Sequence, residues 1–420
     1  MKYETIQLLK KNKILNIDEI NYMNVCAEML YNMSFIRFFR LFVYSIFYTN
    51  KLMITGVQGE ILIAYSLASK KRQDYDEIVH NLSACIDSDE VNCRIELKFN
   101  ILMPFRLFIA IMKMPVFKLI KMQGIKDGML LAFLAANYYT HNQYIRDTLD
   151  KIQCRVLYTF CDALPIENLI SQIAGTLNIK TITLQHGQYA YNDLTDNGSS
   201  NDEGYLNFVS DYICVWGKAT YDEFIKAGID SKRLLITGSL RAYALNNNKK
   251  IIYENKLETK KFGLILSADS YMDDNIEMII LANKIADKYD YSYVVRCHPN
   301  NNMQVYNGCF NGNDVEIVNK IDSFEYFDAV DFSLMFQTGV FNEAVAYRAK
   351  IFIYMNERLL SLYRSLDITI SSLEDFDAKY KAIISDDKSL DVYNDLYDYF
   401  NVSGDICANY KSSLNRLCVQ

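Results

Sequence analysis

The sequence predicts an α/β protein of two domains, each a parallel sheet flanked by helices, and three observations predict it. Its 420 residues exceed what one hydrophobic core ordinarily organises. From residue 154 onward, short β-branched apolar runs alternate with stretches of helical spacing, the pattern of βαβ units. A polar interruption, Asn246-Asn247-Asn248-Lys249-Lys250 through Lys260-Lys261, divides that alternation in two. The expected division is an amino-terminal domain over 1–245, a linker over 246–261, a carboxyl-terminal domain over 262–390, and helices over 391–420 that cross back to the first domain.

Up to about residue 150 the chain reads as mostly helical, with an early strand at Lys51–Thr55 and a strand-turn-helix entry at Ile61–Lys71 behind Gly56 and Gly59. The regular series then begins. Arg155–Phe160 is a β run, Ile166–Leu177 has helical spacing, and Lys180–Leu184 is a strand. Tyr212–Val215 and Arg233–Thr237 are strands around a helix, Ala219–Ala227, stopped by Gly228, whose tolerance of positive φ suits a helix end. Past the linker, strands are expected at Gly263–Leu266, Tyr291–Val295, Val315–Val318, Phe332–Phe336 and Lys350–Tyr354. Helices Asn275–Tyr289, Ser323–Val330 and Val340–Arg348 fall among them. The two series make two Rossmann-like domains with parallel sheets facing a central cleft.

Composition excludes several classes. A net charge of −7 argues against a nucleic-acid binder. The ten cysteines form no CxxC pair and no Cys/His cluster, so reduced thiols in a cytoplasmic protein are expected, with no metal site. There is neither a signal-peptide pattern nor a run of about 20 apolar residues. GxGxxG and Walker A loops are both absent, which lowers dinucleotide oxidoreductases and P-loop enzymes. Charge is unevenly placed. Residues 29–59 and 97–126 contain no acid, while arginines and lysines punctuate runs rich in Phe, Leu, Ile and Met. That pattern fits interfacial helices on the anionic inner face of a membrane, or core helices whose cations are solvated.

Two of the four histidines close predicted strands: Gln185-His186-Gly187-Gln188-Tyr189 follows Lys180–Leu184, and Arg296-Cys297-His298-Pro299 follows Tyr293–Val295. Ligand groups in open α/β sheets sit at such strand ends. An imidazole there can take a proton from a hydroxyl near neutral pH, which makes His186 and His298 the candidate catalytic residues. Gly187 lets the chain turn sharply behind His186. Arg296 falls on the same side of its strand as His298, and the two together suit a phosphate, a surface ion pair being the alternative for Arg296. Gln337-Thr338-Gly339 is a polar turn before a helix whose amino-terminal N–H groups would hold an anion, with Glu343 placed for a ribose diol or simply as a helix-start acid. Ser267 and Ser270, in the loop after Gly263–Leu266, either touch phosphate or serve the turn. Asp202-Glu203-Gly204 is an acid pair in a polar loop, read as a solvated turn, and Asp87-Ser88-Asp89 has DxD spacing without a clear strand before it.

Taken together, Gln185-His186-Gly187, His298-Pro299, the Gln337–Glu343 turn and the stretch from Val215-Trp216-Gly217 to Gly238-Ser239-Leu240-Arg241 resemble the GT-B glycosyltransferases of bacterial surface polysaccharides. These are the capsule and lipo-oligosaccharide sialyl- or Kdo-type transferases and the related CDP-glycerol/ribitol phosphotransferases. The resemblance implies transfer from a nucleotide-activated sugar, a CMP-sugar favoured, to an oligosaccharide or lipid-linked acceptor, without a metal or cofactor. It assigns Arg296, Ser267, Ser270, Gln337, Thr338, Gly339 and Glu343 to the donor, and Gln185, Gly187 and Tyr189 to the acceptor side. Teichoic-acid polyol-phosphate transfer and nucleotide-sugar 2-epimerisation are the alternatives on the same scaffold.

Overall fold

Two sheets organise the chain, and the strand order of each fixes where a ligand can sit. The computed structural model describes residues 3–31, 33–55, 60–66, 73–86, 91–194, 200–241, 243, 259–299, 301–310, 315–318, 321–384 and 389–418. A short antiparallel ribbon, β1 (Asn16–Ile17) with β2 (Ile20–Asn21), comes first. The first sheet comprises β3 (Tyr48–Thr55), β4 (Ile61–Ser66), β5 (Val91–Phe99), β6 (Val156–Thr159), β7 (Lys180–Leu184), β8 (Tyr212–Val215) and β9 (Leu234–Ile236), in the order β3-β5-β4-β6-β7-β8-β9. The second comprises β10 (Lys261–Ile265), β11 (Ser292–Arg296), β12 (Val315–Val318), β13 (Ser333–Met335), β14 (Ile351–Tyr354) and β15 (Thr369–Ile370), in the order β12-β11-β10-β13-β14-β15.

The second sheet is parallel throughout. Its order reverses between β10 and β13, the switch point at which doubly wound sheets open a crevice beyond the strand ends. Helices cover both faces, so β13 and β14 are buried along their whole length, as continuous apolar strands of a parallel sheet must be. An aromatic stack of Phe262 on Phe332, 5.0 Å between ring centres, anchors the second core.

Three expectations need correction. The region before residue 150 is mostly helical, as expected, with strands at Tyr48–Thr55 and Ile61–Ser66, but it also supplies the unforeseen ribbon β1/β2 and the unforeseen strand β5. The first sheet is not wholly parallel: β3 runs antiparallel to β5. Between Thr55 at the end of β3 and Ile61 at the start of β4 lie five residues, too few for the crossover of about a dozen that a parallel connection requires. The thiols are not all free. Cys85 and Cys407, 322 residues apart, form a disulfide that joins the helix Gln73–Ile86 to the last helix. Gly56, Gly59, Asp87, Asp89 and residues 246–258 of the expected linker lie outside the described residues.

After the second sheet, helix Ser389–Phe400 packs Tyr393, Leu396, Tyr397 and Phe400 into the second core and lies against helix Lys218–Lys226 of the first domain. Asn401 Oδ1 then accepts the Ser239 N–H at 2.8 Å. Helix Ile406–Cys418 buries Ile406, Tyr410, Leu414 and Leu417 among the side chains of β6 and β7. The chain therefore passes between the domains twice, from Tyr243 to Thr259 and from Phe400 to Ile406.

Candidate functional site

The β7 strand ends at Leu184, and the residues after it are held by side chains of the next βα unit. Gln185 is buried; its Nε2 donates to Gly187 O (2.8 Å) and Thr220 Oγ1 (3.0 Å), and its Oε1 accepts from Trp216 N (2.7 Å). The buried Glu223 carboxylate accepts the Tyr191 N–H at 2.7 Å. The protein's own side chains thus satisfy the polar groups that hold this loop. His186, partly exposed, stacks its ring on Tyr205 with 4.7 Å between centres and 11° between planes. Gly187 is not in the left-handed region; what demands glycine is Tyr205, whose hydroxyl would lie 2.5 Å from an added Cβ. Tyr189 is buried instead of lining an opening, packed on Phe224 with its hydroxyl donating to Asp202 at 3.4 Å.

Asp202 and Glu203, read from sequence as a solvated turn, are buried on helix Ser200–Leu206. Glu203 is engaged by Lys10 and Gln7 of helix Tyr3–Lys11, and that contact braces the helix carrying Tyr205. The acid pair is thus structural support beneath His186.

On the second domain the switch point is closed by hydrogen bonds between loops. Ser267 is buried, and its hydroxyl donates to Gln337 O at 2.8 Å, tying the β10 loop to the β13 turn. Ser270 is exposed, its carbonyl accepting from Arg358 at 3.4 Å. His298 N–H donates to Asn301 Oδ1 (2.7 Å), and Asn301 Nδ2 donates to Ser267 O (2.9 Å) and Asp269 Oδ1 (2.8 Å). The Asn301 amide, the Asn302 N–H and the nearby His298 hold the Asp269 carboxyl below the usual carboxylate range. Gln337 Nε2 donates to Arg358 O, and Thr338 Oγ1 accepts the Val340 N–H at 3.4 Å. Gly339, exposed at the start of helix Val340–Tyr347, faces open space: no atom stands within 4 Å of where its Cβ would be.

The two halves are joined by one run of polar contacts. Arg296 donates from Nη1 to Ser323 Oγ at 2.8 Å, and the Ser323 hydroxyl donates to Glu343. The other oxygen of Glu343 pairs with Arg241 Nη1 at 3.7 Å, and Arg241 Nη2 donates to the His186 carbonyl at 3.4 Å. Beside this run, Asp193 accepts the Ser361 N–H (3.1 Å) and pairs with Arg364 (3.4 Å). The His186 backbone and the Arg296 guanidinium are therefore linked through one junction, with Glu343 at its middle. Arg241, Ser323, Asn301, Asp269 and Asp193 were given no role from sequence. Arg241 carried a usable signal, standing just beyond β9 at the edge where ligand groups gather.

Acid–base groups at this junction can accept a proton on the His186 side, and guanidinium groups and helix-start N–H donors can meet negative charge on the other. No protein-family model and no curated protein matches the chain. Solved structures do resemble it. A putative UDP-N-acetylglucosamine 2-epimerase from Listeria monocytogenes superposes with a TM-score of 0.53 at 10% identity, covering 85% of this chain and 98% of that one. The UDP-GlcNAc 2-epimerase from Methanocaldococcus jannaschii gives 0.52 at 12% identity, covering 86% and 99%. The S. aureus MnaA–UDP co-structure gives 0.52 at 10% identity, covering 86% and 96%. At these identities the likeness is one of fold: two Rossmann-like domains of the GT-B type.

Proposed function

We propose that this chain is a GT-B glycosyltransferase that moves a sugar from a nucleotide-activated donor, a CMP-sugar by preference, to a growing surface polysaccharide or lipid-linked glycan. The observation that carries this reading is the polar run from the His186 carbonyl through Arg241, Glu343 and Ser323 to Arg296, which brings the loop of the candidate base and two cations to one interdomain junction. The second domain takes the donor. Arg296, His298 and the N–H groups behind Thr338-Gly339 meet its phosphate; Glu343 meets the ribose. Ser267 and Gln337 brace those loops, and Ser270 lies at the rim.

The first domain presents the acceptor. The acceptor hydroxyl loses its proton to His186 and bonds to the anomeric carbon. The bond from that carbon to the donor phosphate breaks, and the phosphate leaves with the electron pair, its charge met by Arg296 and Arg241. Side-chain cations do this work, so the scheme calls for no metal. Gln185 and Gly187 shape the acceptor loop, and Tyr189 supports it from beneath.

A second reading, nucleotide-sugar 2-epimerisation, is supported by the fold shared with the 2-epimerases above. The deciding experiment screens CMP, CDP, UDP and GDP derivatives for stabilisation against unfolding, then follows the sugar. A ligand at about 100 times its dissociation constant adds about 2.7 kcal/mol. One nucleotide family should do so, and the gain should shrink in His298→Ala. Donor converted to an epimer without acceptor would favour the second reading, and no response to any nucleotide would sink both.

A further inference from the structure

The amino-terminal domain exposes apolar side chains on a scale that its own core does not explain. Helices Phe35–Phe47 and Met103–Lys113 pack on one another, and Met103–Lys113 forms a hairpin with helix Val116–Ile152, which is broken at Gly124. Few side chains of the first two helices or the start of the third turn fully inward: Ser45 on the first, Met103, Leu107 and Ala110 on the second, and Leu119 on the third. The opposite faces should then be polar, and they are not. Ile36 and Phe39 on the first helix, Phe105 and Met112 on the second, and Phe117 and Ile125 on the third are all more than half exposed, Phe117 by 90%. Monomeric proteins seldom leave so contiguous an apolar set in water.

Charge says what covers it. Residues 29–59 and 97–126 hold no acid. Arg40, Arg106, Lys118, Lys121 and Lys126 are exposed on these helices and form no ion pair among the described residues. Exposed aromatic and aliphatic groups among unneutralised cations match the boundary of an anionic bilayer, where rings enter the acyl edge and cations meet phosphate. No helix among the described residues is long and apolar enough to cross a membrane, so the contact is with one surface.

Topology places this face beside the candidate site. Strands β5, β4, β6 and β7 are mutually parallel, so Phe99 at the end of β5 and Leu184 at the end of β7 mark the same sheet edge. Tyr48, where helix Phe35–Phe47 passes into β3, pairs with Phe99 on that edge, and Met103–Lys113 begins four residues after it. We infer that the face built by Phe35–Phe47, Met103–Lys113 and the first turns of Val116–Ile152 docks on an anionic phospholipid surface, so that the edge carrying His186 meets an acceptor anchored in that bilayer. The docking stands on exposure and charge alone; the acceptor clause rests on the transferase reading.

The test uses the full chain and extruded vesicles of phosphatidylcholine, with and without about one third phosphatidylglycerol, in co-flotation without nucleotide or sugar. Binding is expected to the anionic vesicles, at least tenfold weaker to the neutral ones, and weakened by salt. Replacing Met112, Phe117 and Ile125 by Ser should abolish it with the circular dichroism spectrum unchanged, since these side chains contribute little to the core. Lys118→Glu with Lys121→Glu and Lys126→Glu should lower anionic binding by about a hundredfold. Equal binding of that triple variant, or no flotation of the wild type, overturns the inference. So does a stable dimer that the Ser variant converts to monomer, since the face would then belong to a second copy. Because flotation needs no donor, its failure leaves the nucleotide screen standing, and the reverse holds.

Discussion

Replacing Gly187 by alanine tests how the candidate base is held. The added Cβ would lie 2.5 Å from Tyr205 Oη, whereas the next atom of that ring, Cζ, stands at 3.6 Å, an ordinary contact. The hydroxyl must therefore retreat by about 1 Å, and Tyr205 cannot retreat alone. It stacks on His186 at 4.7 Å and leans on Tyr189 at 5.3 Å. Overpacking of this kind costs about 1–3 kcal/mol, and the lower half of that range applies because the clash is with the end of a side chain. A displacement of about 1 Å at a reacting group can cost on the order of a hundredfold in rate. Gly187→Ala should thus lose about 1–2 kcal/mol in urea unfolding and on the order of a hundredfold in turnover. Tyr205→Phe removes the offending oxygen and keeps the ring, so Gly187→Ala/Tyr205→Phe should recover both quantities to near the level of Tyr205→Phe alone. A double variant as impaired as Gly187→Ala would refute the reasoning, because the steric demand would then lie elsewhere.

Other substitutions probe the frame. Gly217→Ala would set a Cβ at 2.5–2.7 Å from backbone atoms of Phe400 and Asn401, a segment pinned by Ser239, and should cost about 3 kcal/mol in urea unfolding. Gly175→Ala, on helix Pro165–Thr176 with nothing within 4 Å, should instead stabilise by about 0.5–1 kcal/mol. Asp162→Ala strips the acceptor from Val209 N, Ser210 N and Ser210 Oγ in a buried site, and should cost about 2–4 kcal/mol by the same measurement. His141, buried against Thr49 and Asn50, is pushed by burial and then by the Arg106 cation from its ordinary 6.5 down to about 4. It stays neutral in the fold while the unfolded chain protonates first. Its share of stability is therefore full above about pH 6.5 and falls by about 3 kcal/mol as pH drops to about 4; His141→Gln should flatten that part of the urea–pH profile.

The legible parts of the chain were those where one physical demand dominates. Lys180–Leu184 and Ile351–Tyr354 lie inside parallel sheets covered on both faces, so β-branched and apolar residues run without interruption and the strands stand out. The strand β5 was missed for the opposite reason. Val91, Cys93, Ile95, Leu97 and Phe99 alternate with Asn92, Arg94, Glu96 and Lys98, a strand of period two, but its apolar end merges into the basic, aromatic run that follows. Of the candidate site, the histidines and Arg296 were singled out because strand ends mark them. Arg241 offered the same kind of signal beyond β9, whereas Ser323 offered none, since what matters about it is a contact made across 20 residues with Glu343. The pairing of Cys85 with Cys407 was equally hidden, because it depends on the last helix returning to the first sheet.

That return has a mechanical consequence. Two lobes tied by a single stretch of backbone can swing and swivel; a second tie removes some of those motions. Here the second tie runs through Phe400 and Asn401 beside Gly217 and Ser239, and the disulfide fastens the helix beyond it. Any parting of Arg241 from Glu343 would therefore have to bend this second tie beside Gly217 and Ser239, which leaves fewer ways for the lobes to part than a single connection would.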